Sequence, residues 1–302
     1  MLPIIQKRNW AFLFSGTLFL TSVVLLITVG LKPGLDFTGG SLMEVVFEKE
    51  RPTVESFREA VSKNVENPVI QSTGDREYLL KVRFLNEEEH QKLLSSLSQS
   101  FSSSTTGQVK EDRFETIGSA VSSDLKSRAF QAGFLVVLGI VAYIAYSFRK
   151  VSRPVQSWKY GVAAVVALLH DVVITMGFFV LLGKYKGVEV DLPFVVAMLT
   201  ILGYSVNDTI VVFDRIREKL IRHGASNFVD TVNLAVNETI GRSINTSLTV
   251  LLALTALFLF GGASIHYFAF ALIIGIIFGT YSSIFVASSL LVTWEEWKHK
   301  RK

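Results

Sequence analysis

Cysteine is missing from all 302 residues. Its absence rules out disulfides and thiolate metal sites, and leaves the redox compartment unreadable from this chain. The five histidines, His90, His170, His223, His266 and His299, are scattered and lack the i, i+4 pairing of a zinc site on a helix. No Gly-x4-Gly-Lys-Ser/Thr stretch occurs, since Gly183-Lys184 is followed by Tyr185 and has no glycine-rich loop before it. The chain therefore offers no nucleotide-driven motor. The glycine-rich GLDFTGG, residues 34–40, is not followed by Lys-Ser/Thr and is expected to open a strand rather than a helix, so it reads as a tight junction and not a phosphate cradle. No nucleophile and base can be paired from the sequence. The expectation is a protein that is not an enzyme and holds no cofactor or metal.

Apolar residues make up half of the chain and fall in long blocks rather than in amphipathic periods. Such blocks describe an integral membrane protein. Six are visible: Trp10 to Gly30, Ala129 to Phe148, Gly161 to Leu182, Leu192 to Phe213, Ser243 to Phe260 and Tyr267 to Val292. The first follows basic residues, as a signal peptide would. Its apolar run is about twice the usual length of a signal h-region, however, and its exit, Thr28 to Pro33, lacks an Ala-x-Ala pattern, so an uncleaved span is expected.

Lys and Arg sort to one side of these spans. That side holds Lys7, Arg8, Arg149, Lys150, Arg153, Lys159, Arg215, Arg217, Lys219, Arg222, Arg242, Lys298, Lys300, Arg301 and Lys302, against Lys184 and Lys186 in the opposite short connections. The positive-inside rule then places both termini in the cytoplasm and residues 31–128 outside it. That exported segment carries 13 basic and 16 acidic residues, a net of −3, while the whole chain is +4. The surplus cations are juxtamembrane anchors facing anionic lipid and do not indicate nucleic acid. The domain plan is thus residues 1–30 for the N-terminus and first span, 31–128 for the exported domain, 129–292 for five further spans, and 293–302 for a basic tail.

Within the exported segment, Leu42 to Phe47 reads as a strand, Thr53 caps a helix to about Asn64, and Pro68 to Gln71 reads as a second strand. After a turn at Gly74-Asp75 a third strand runs Tyr78 to Phe84, with Tyr78, Leu80, Val82 and Phe84 on one face and Lys81 and Arg83 on the other. Asn86 caps a helix from Glu87 to about Phe101, and a strand follows around Val109 to Thr116. The order βαββαβ predicts a small α+β domain of ferredoxin-like type.

Polar residues inside the spans are the candidate site. An Asp in mid-membrane costs at least about 2.5–3.5 kcal/mol on insertion scales, so such a residue faces a protein interior and marks an ion or proton path. His170 and Asp171 lie near the middle of the third span, Asn207 and Asp208 in the fourth, and Arg242 at the entrance of the fifth. Helical spacing groups Thr200, Tyr204, Asn207, Asp208 and Val211 on one side of the fourth span, and Arg242, Asn245, Thr246 and Thr249 on one side of the fifth. If the two sides face each other, the Arg242 side chain reaches toward Asp208. A carboxyl in low dielectric favours its neutral form and a nearby guanidinium favours the charged one, so moving Arg242 would load and unload a proton on Asp208. Asp171 is a second station or a partner for His170. The alternative for Asp208 and Arg242 is a static ion pair that fixes helix register. Asn245, Thr246 and Thr249 read equally as interhelical hydrogen-bond formers, and Gly275, Gly279, Ser283 and Ala287 as a small-residue ridge for close packing in the last span.

GLDFTGG after the first span, LLHDVVIT in the third, YSVNDTIVVFDRIRE in the fourth and GRSINTSLTVLLAL at the fifth together resemble the SecF family of bacterial protein translocase subunits, from the first span to the last. The resemblance implies half of a transporter of the resistance-nodulation-division type, with SecD supplying the other half. It implies a proton-driven accessory of the SecYEG channel, accompanied by the small membrane subunit YajC, assisting export of unfolded secretory proteins across the cytoplasmic (inner) membrane. In the family, the Asp of the fourth-span motif and the Arg opening the fifth are implicated in proton movement, which carries over to Asp208 and Arg242. One departure is Ser119, where related chains often have Pro after the Gly. Two other functions compete: a half-transporter exporting a small molecule or lipid by proton antiport, and a translocase scaffold that conducts no protons.

Overall fold

A computed structural model describes residues 1–73, 75–102, 106–148, 155–223 and 227–299. Of the positions singled out above, Gly74, Arg149, Lys150, Arg153, Lys300, Arg301 and Lys302 lie outside the described residues. The chain divides into two compact units, residues 33–129 and the remainder.

The smaller unit opens with a one-turn helix, α2 (Leu35–Thr38), and not directly with the expected strand. Four residues are too few to show helical periodicity, and the turn is closed by Gly39 at φ +69° and Gly40 at φ +120°. At Gly40 a Cβ would stand 2.5 Å from the Val82 carbonyl oxygen, so the close approach of the neighbouring strand admits only glycine. There follow β1 (Gly40–Phe47), α3 (Val54–Ser62), β2 (Val69–Thr73), β3 (Glu77–Val82), α4 (Glu87–Phe101) and β4 (Val109–Ile117). The helix starts are set locally. Thr53 accepts from the Ser56 amide, and Asn86 forms a capping box with Glu89. All strand pairings are antiparallel, in the order β2-β3-β1-β4. Met43, Val45, Phe47, Tyr78, Leu80 and Val82 turn to a core closed by Phe57, Val61, Leu93 and Leu97. Phe84, expected on that inward face, is exposed, because β3 stops at Val82 and the alternation stops with it.

Among the described residues of the larger unit, α1 (Arg8–Thr28), α5 (Ser119–Ser147, continuing from the smaller unit), α6 (Ser157–Lys186), α7 (Leu192–His223), α8 (Phe228–Phe260) and a last span supply six helices long and apolar enough to cross a membrane. The last span is α9 (Ala263–Ser282), a π-helical turn (Ser283–Ala287) and α10 (Ser288–His299). At 1.5 Å per residue, the 30 to 33 residues of α6, α7 and α8 exceed a hydrocarbon core of about 30 Å, so these helices run on past their apolar blocks. Those polar extensions are held by other parts of the chain. Arg215 Nε and Lys219 Nζ of α7 reach Glu238 of α8 at 2.6 and 2.7 Å. Asn233 and Asn237 of α8 bind the N-terminal residues through the amides of Leu2, Ile4 and Ile5.

α6, α7 and the last span form the centre, and α1, α5 and α8 lie outside them. Two close approaches depend on glycine. A Cβ on Gly177 of α6 would lie 2.3 Å from Ser22 Oγ of α1, and one on Gly275 of α9 would lie 2.2 Å from Ile201 Cδ1 of α7.

Candidate functional site

Two carboxylates sit among the central helices, and serines hold both. Asp171 on α6 is fully buried. Its Oδ1 lies 2.9 Å from His170 Nδ1, and its Oδ2 accepts from Ser205 Oγ of α7 at 2.6 Å and Ser282 Oγ of α9 at 2.8 Å. The His170 ring stacks on Phe19 of α1 with centroids 6.3 Å apart, and its Nε2 is buried with no hydrogen-bond partner among the described residues. Asp208 on α7 is partly buried. Its Oδ1 accepts from Ser243 Oγ of α8 at 2.6 Å, and its Oδ2 from Ser283 Oγ at the head of the π-turn. Spacing explains the sharing. Ser205 and Asp208 are three residues apart on α7, hence on one face, and that face meets the ridge Gly275, Gly279, Ser283 of the last span. Gly279 is what lets Ser205 approach, since a Cβ there would stand 3.0 Å from Ser205 Cβ.

Asp208 also borders a cavity of about 150 Å³ lined by Tyr204, Asn207, Asp208, Val211, Arg242 and Thr246. A water needs only about 10–15 Å³ of such space, so the cavity has room for several. A second cavity, of about 410 Å³, is lined by charged residues of α7 and α8, among them Asp214, Arg215, Glu218 and Glu238, and shares Val211 and Arg242 with the first. Arg242 therefore stands between the small cavity that reaches Asp208 and the larger charged one.

Of the residues selected from sequence, Tyr204, Asn207, Asp208, Arg242 and Thr246 meet at one cavity. His170 and Asp171 form their own buried cluster. Asn245 and Thr249 lie on the exposed flank of α8, and Thr246 and Thr249 bond carbonyls of their own helix rather than a neighbouring one. The buried charge pair is not formed: Arg242 is exposed and makes no ion pair with Asp208 among the described residues. Both oxygens of Asp208 already have hydroxyl donors on the inward side, while Arg242 opens toward the cavities. Serines 205, 243, 282 and 283 are carboxylate partners that sequence spacing alone does not single out. Their only sequence signal is the placing of small hydroxyls at helical spacing from the carboxylates and glycines.

Residues 97–297 match the family model for protein export membrane protein SecD/SecF, C-terminal, and residues 24–50 match the SecD/SecF GG motif. The chain belongs to the SecF family. Protein translocase subunit SecF of Thermobaculum terrenum is 41% identical over 98% of this chain and 94% of its own length. That of Desulfurispirillum indicum is 40% identical over 97% of this chain and 91% of its own. Among solved structures, the crystal structure of SecDF, a translocon-associated membrane protein from Thermus thermophilus, aligns over 97% of this chain with a TM-score of 0.81 and 32% identity. A super-membrane-facing form of SecDF aligns with a TM-score of 0.68 and 31% identity. This chain spans 38% of the length of the first SecDF chain. The GG motif covers α2 with Gly39 and Gly40, and the longer match covers α6 to α10 with all four serines and both carboxylates.

Proposed function

We propose that the chain is a proton-motive-force-coupled subunit of the Sec translocase in the bacterial cytoplasmic membrane, assisting export of unfolded proteins together with SecD, the SecYEG channel and YajC. The observation that carries this reading is Asp208, a carboxylate held by two serines and opening on a cavity that Arg242 shares. Among the described residues the Arg242 guanidinium makes no ion pair with that carboxylate, and by approaching or leaving it can bias its charge, which is the elementary act of proton coupling. The membrane potential adds about 2.3 kcal/mol per proton per 100 mV, enough for conformational work when several protons pass. Protons are then the only coupling species, with no cofactor and no enzymatic step.

In this reading both termini are cytoplasmic and residues 31–128 are extracytoplasmic, as the sorting of Lys and Arg supports. The order βαββαβ with strands arranged 2-3-1-4 supports a ferredoxin-like domain there.

Export of a secretory protein into vesicles, with and without a proton gradient, tests the reading through Asp208→Asn and Arg242→Ala. The expected result is loss of the gradient-dependent component in both. Undiminished gradient-dependent export would leave a scaffold without proton conduction, and proton-coupled efflux of a small molecule or lipid would favour the half-transporter.

A further inference from the structure

Neighbouring residues of the last span serve different carboxylates. Ser282 donates to Asp171 of α6 and Ser283 to Asp208 of α7. Consecutive side chains diverge by about 100° around a helix, so adjacent hydroxyls can reach separate neighbours. Each carboxylate is completed by another serine, Ser205 for Asp171 and Ser243 for Asp208.

The pair on the last span differs from those two in one respect. Ser282 Oγ lies 3.2 Å from the Gly279 carbonyl oxygen, and Ser283 Oγ lies 3.0 Å from that of Thr280. Among the described residues, Ser205 and Ser243 bond the carboxylate alone. A hydroxyl has one proton to give and lone pairs with which to accept. Facing an ionised carboxylate, Ser282 or Ser283 donates to it. Facing a protonated one, the same oxygen accepts from the acid and turns its own hydrogen to the carbonyl one turn back. No heavy atom has to move, and no buried polar group loses its partner, which would be costly. The π-turn beginning at Ser283 marks the place, since such turns are rare and concentrate at functional sites.

We propose that Ser282 and Ser283 are positioning residues for the two intramembrane carboxyls, a pair of hydroxyl rotors that keeps Asp171 and Asp208 hydrogen-bonded whether charged or neutral. The use of the rotors rests on the proton-coupling reading above, but their existence is a property of the isolated chain and is tested there.

The experiment is infrared titration of the purified full chain in lipid. A protonated-carboxyl stretch abolished by Asp208→Asn identifies that group. Ser283→Ala is expected to change the frequency of this band and to move its midpoint by about half a pH unit or more, roughly a threefold change in proton affinity. Ser283→Thr, which keeps the hydroxyl, restores both. Ser282→Ala does the same to the band abolished by Asp171→Asn and leaves the Asp208 band in place. Where Ser283→Ala fails to fold, Ser283→Cys, a similarly shaped but weak hydrogen-bonding partner, is expected to shift the band in the same sense. An Asp208 band unmoved in frequency and midpoint overturns the proposal, as does a carboxyl that shows no neutral form at any pH. Export assays separate the two ideas: Asp208→Asn with full gradient-dependent export ends the proton-coupling reading while leaving the infrared result intact.

Discussion

Lys159 Nζ and Glu295 Oε2 lie 2.9 Å apart with both side chains only 4% exposed, tying the start of α6 to α10. Lys159 also stands over the Trp294 ring, 5.5 Å from its centroid. A buried pair of this kind is weak evidence of net stability, because each charge has lost its water. Breaking it on one side is another matter.

Glu295→Ala is accordingly expected to cost about 3–5 kcal/mol, since it strands a buried ammonium, whereas Lys159→Met combined with Glu295→Leu should be near neutral. Denaturant unfolding of the purified chain, followed by helical signal in detergent, gives both numbers. A double variant as weak as the single one would show that the charges are not acting as a pair.

Gly177 and Ser22 fix the approach of α1 to α6. In Gly177→Ala the new methyl would lie 2.3 Å from Ser22 Oγ and 2.9 Å from Ser22 Cα, so α1 must shift, at an expected cost of about 1–3 kcal/mol. Ser22→Gly removes the Oγ contact and that of Cβ at 2.5 Å, leaves the one to Cα, and should recover part of the loss. Thermal unfolding of the two single variants and the double supplies the comparison, and strict additivity would speak against the contact.

Asn233 holds the N-terminal residues to α8. Its Oδ1 accepts from the amides of Ile4 and Ile5 at 3.0 and 3.1 Å, and its Nδ2 donates to the Leu2 carbonyl at 3.1 Å, with Ile5 fully buried beneath. Asn233→Ala leaves the Ile5 amide without its partner, while the Ile4 amide keeps the Leu2 carbonyl at 3.0 Å, and about 1–3 kcal/mol of local stability should be lost if the Ile5 amide stays buried. Limited proteolysis should then cut within the first ten residues, where the parent chain resists. Equal resistance in both would mean that packing of Ile4 and Ile5 alone secures this segment.

Outside the membrane, Glu89 is held below the ordinary glutamate value of 4.5, first by its hydrogen bond from Arg83 and next by the Asn86 amide. A carboxylate lowered in the fold contributes stability that is present above the unfolded value and is lost as pH falls through the folded one. Arg83→Ala should therefore weaken the 33–129 unit at neutral pH, with the difference from the parent shrinking at pH values below about 4.5. Glu44 works in the opposite sense, raised first by burial and then by Glu77 and Asp112, but it is common to both proteins and cancels. Amide-hydrogen protection in this unit, measured at two pH values, decides the matter. A gap that widens in acid contradicts the assignment.

The six spans were legible because lipid demands apolar residues, and the starts of α3 and α4 because Thr53 and Asn86 cap them by purely local bonds. The true lengths of α7 and α8 were not. Their polar ends are helical because Glu238 meets Arg215 and Lys219, and because Asn233 and Asn237 grip a segment more than two hundred positions away in sequence. Asp171 and Asp208 could be picked out by the cost of placing a carboxylate in lipid. Their serines could not, since a serine in an apolar helix looks the same in sequence whether it bonds its own carbonyl, as Ser288 does, or a carboxylate on another helix, as Ser243 does. Arg242 shows the converse: its spacing placed it beside Asp208, while the hydroxyls that occupy that carboxylate are those of its own neighbour Ser243 and of Ser283 on the last span, and among the described residues Arg242 makes no ion pair with it.

The π-turn at Ser283–Ala287 has an effect farther along the chain. Accommodating an i→i+5 turn winds in one residue more than an α-turn would, so every side chain beyond it arrives at a bearing offset by about 100°. Glu295 lies beyond it, and its meeting with Lys159 depends on that offset. Deleting a single residue between Ser283 and Ala287 would let the turn close as an ordinary α-turn with Glu295 still facing Lys159, whereas rewinding it as α-helix at full length would swing α10 round and separate the two charges, although neither had been touched.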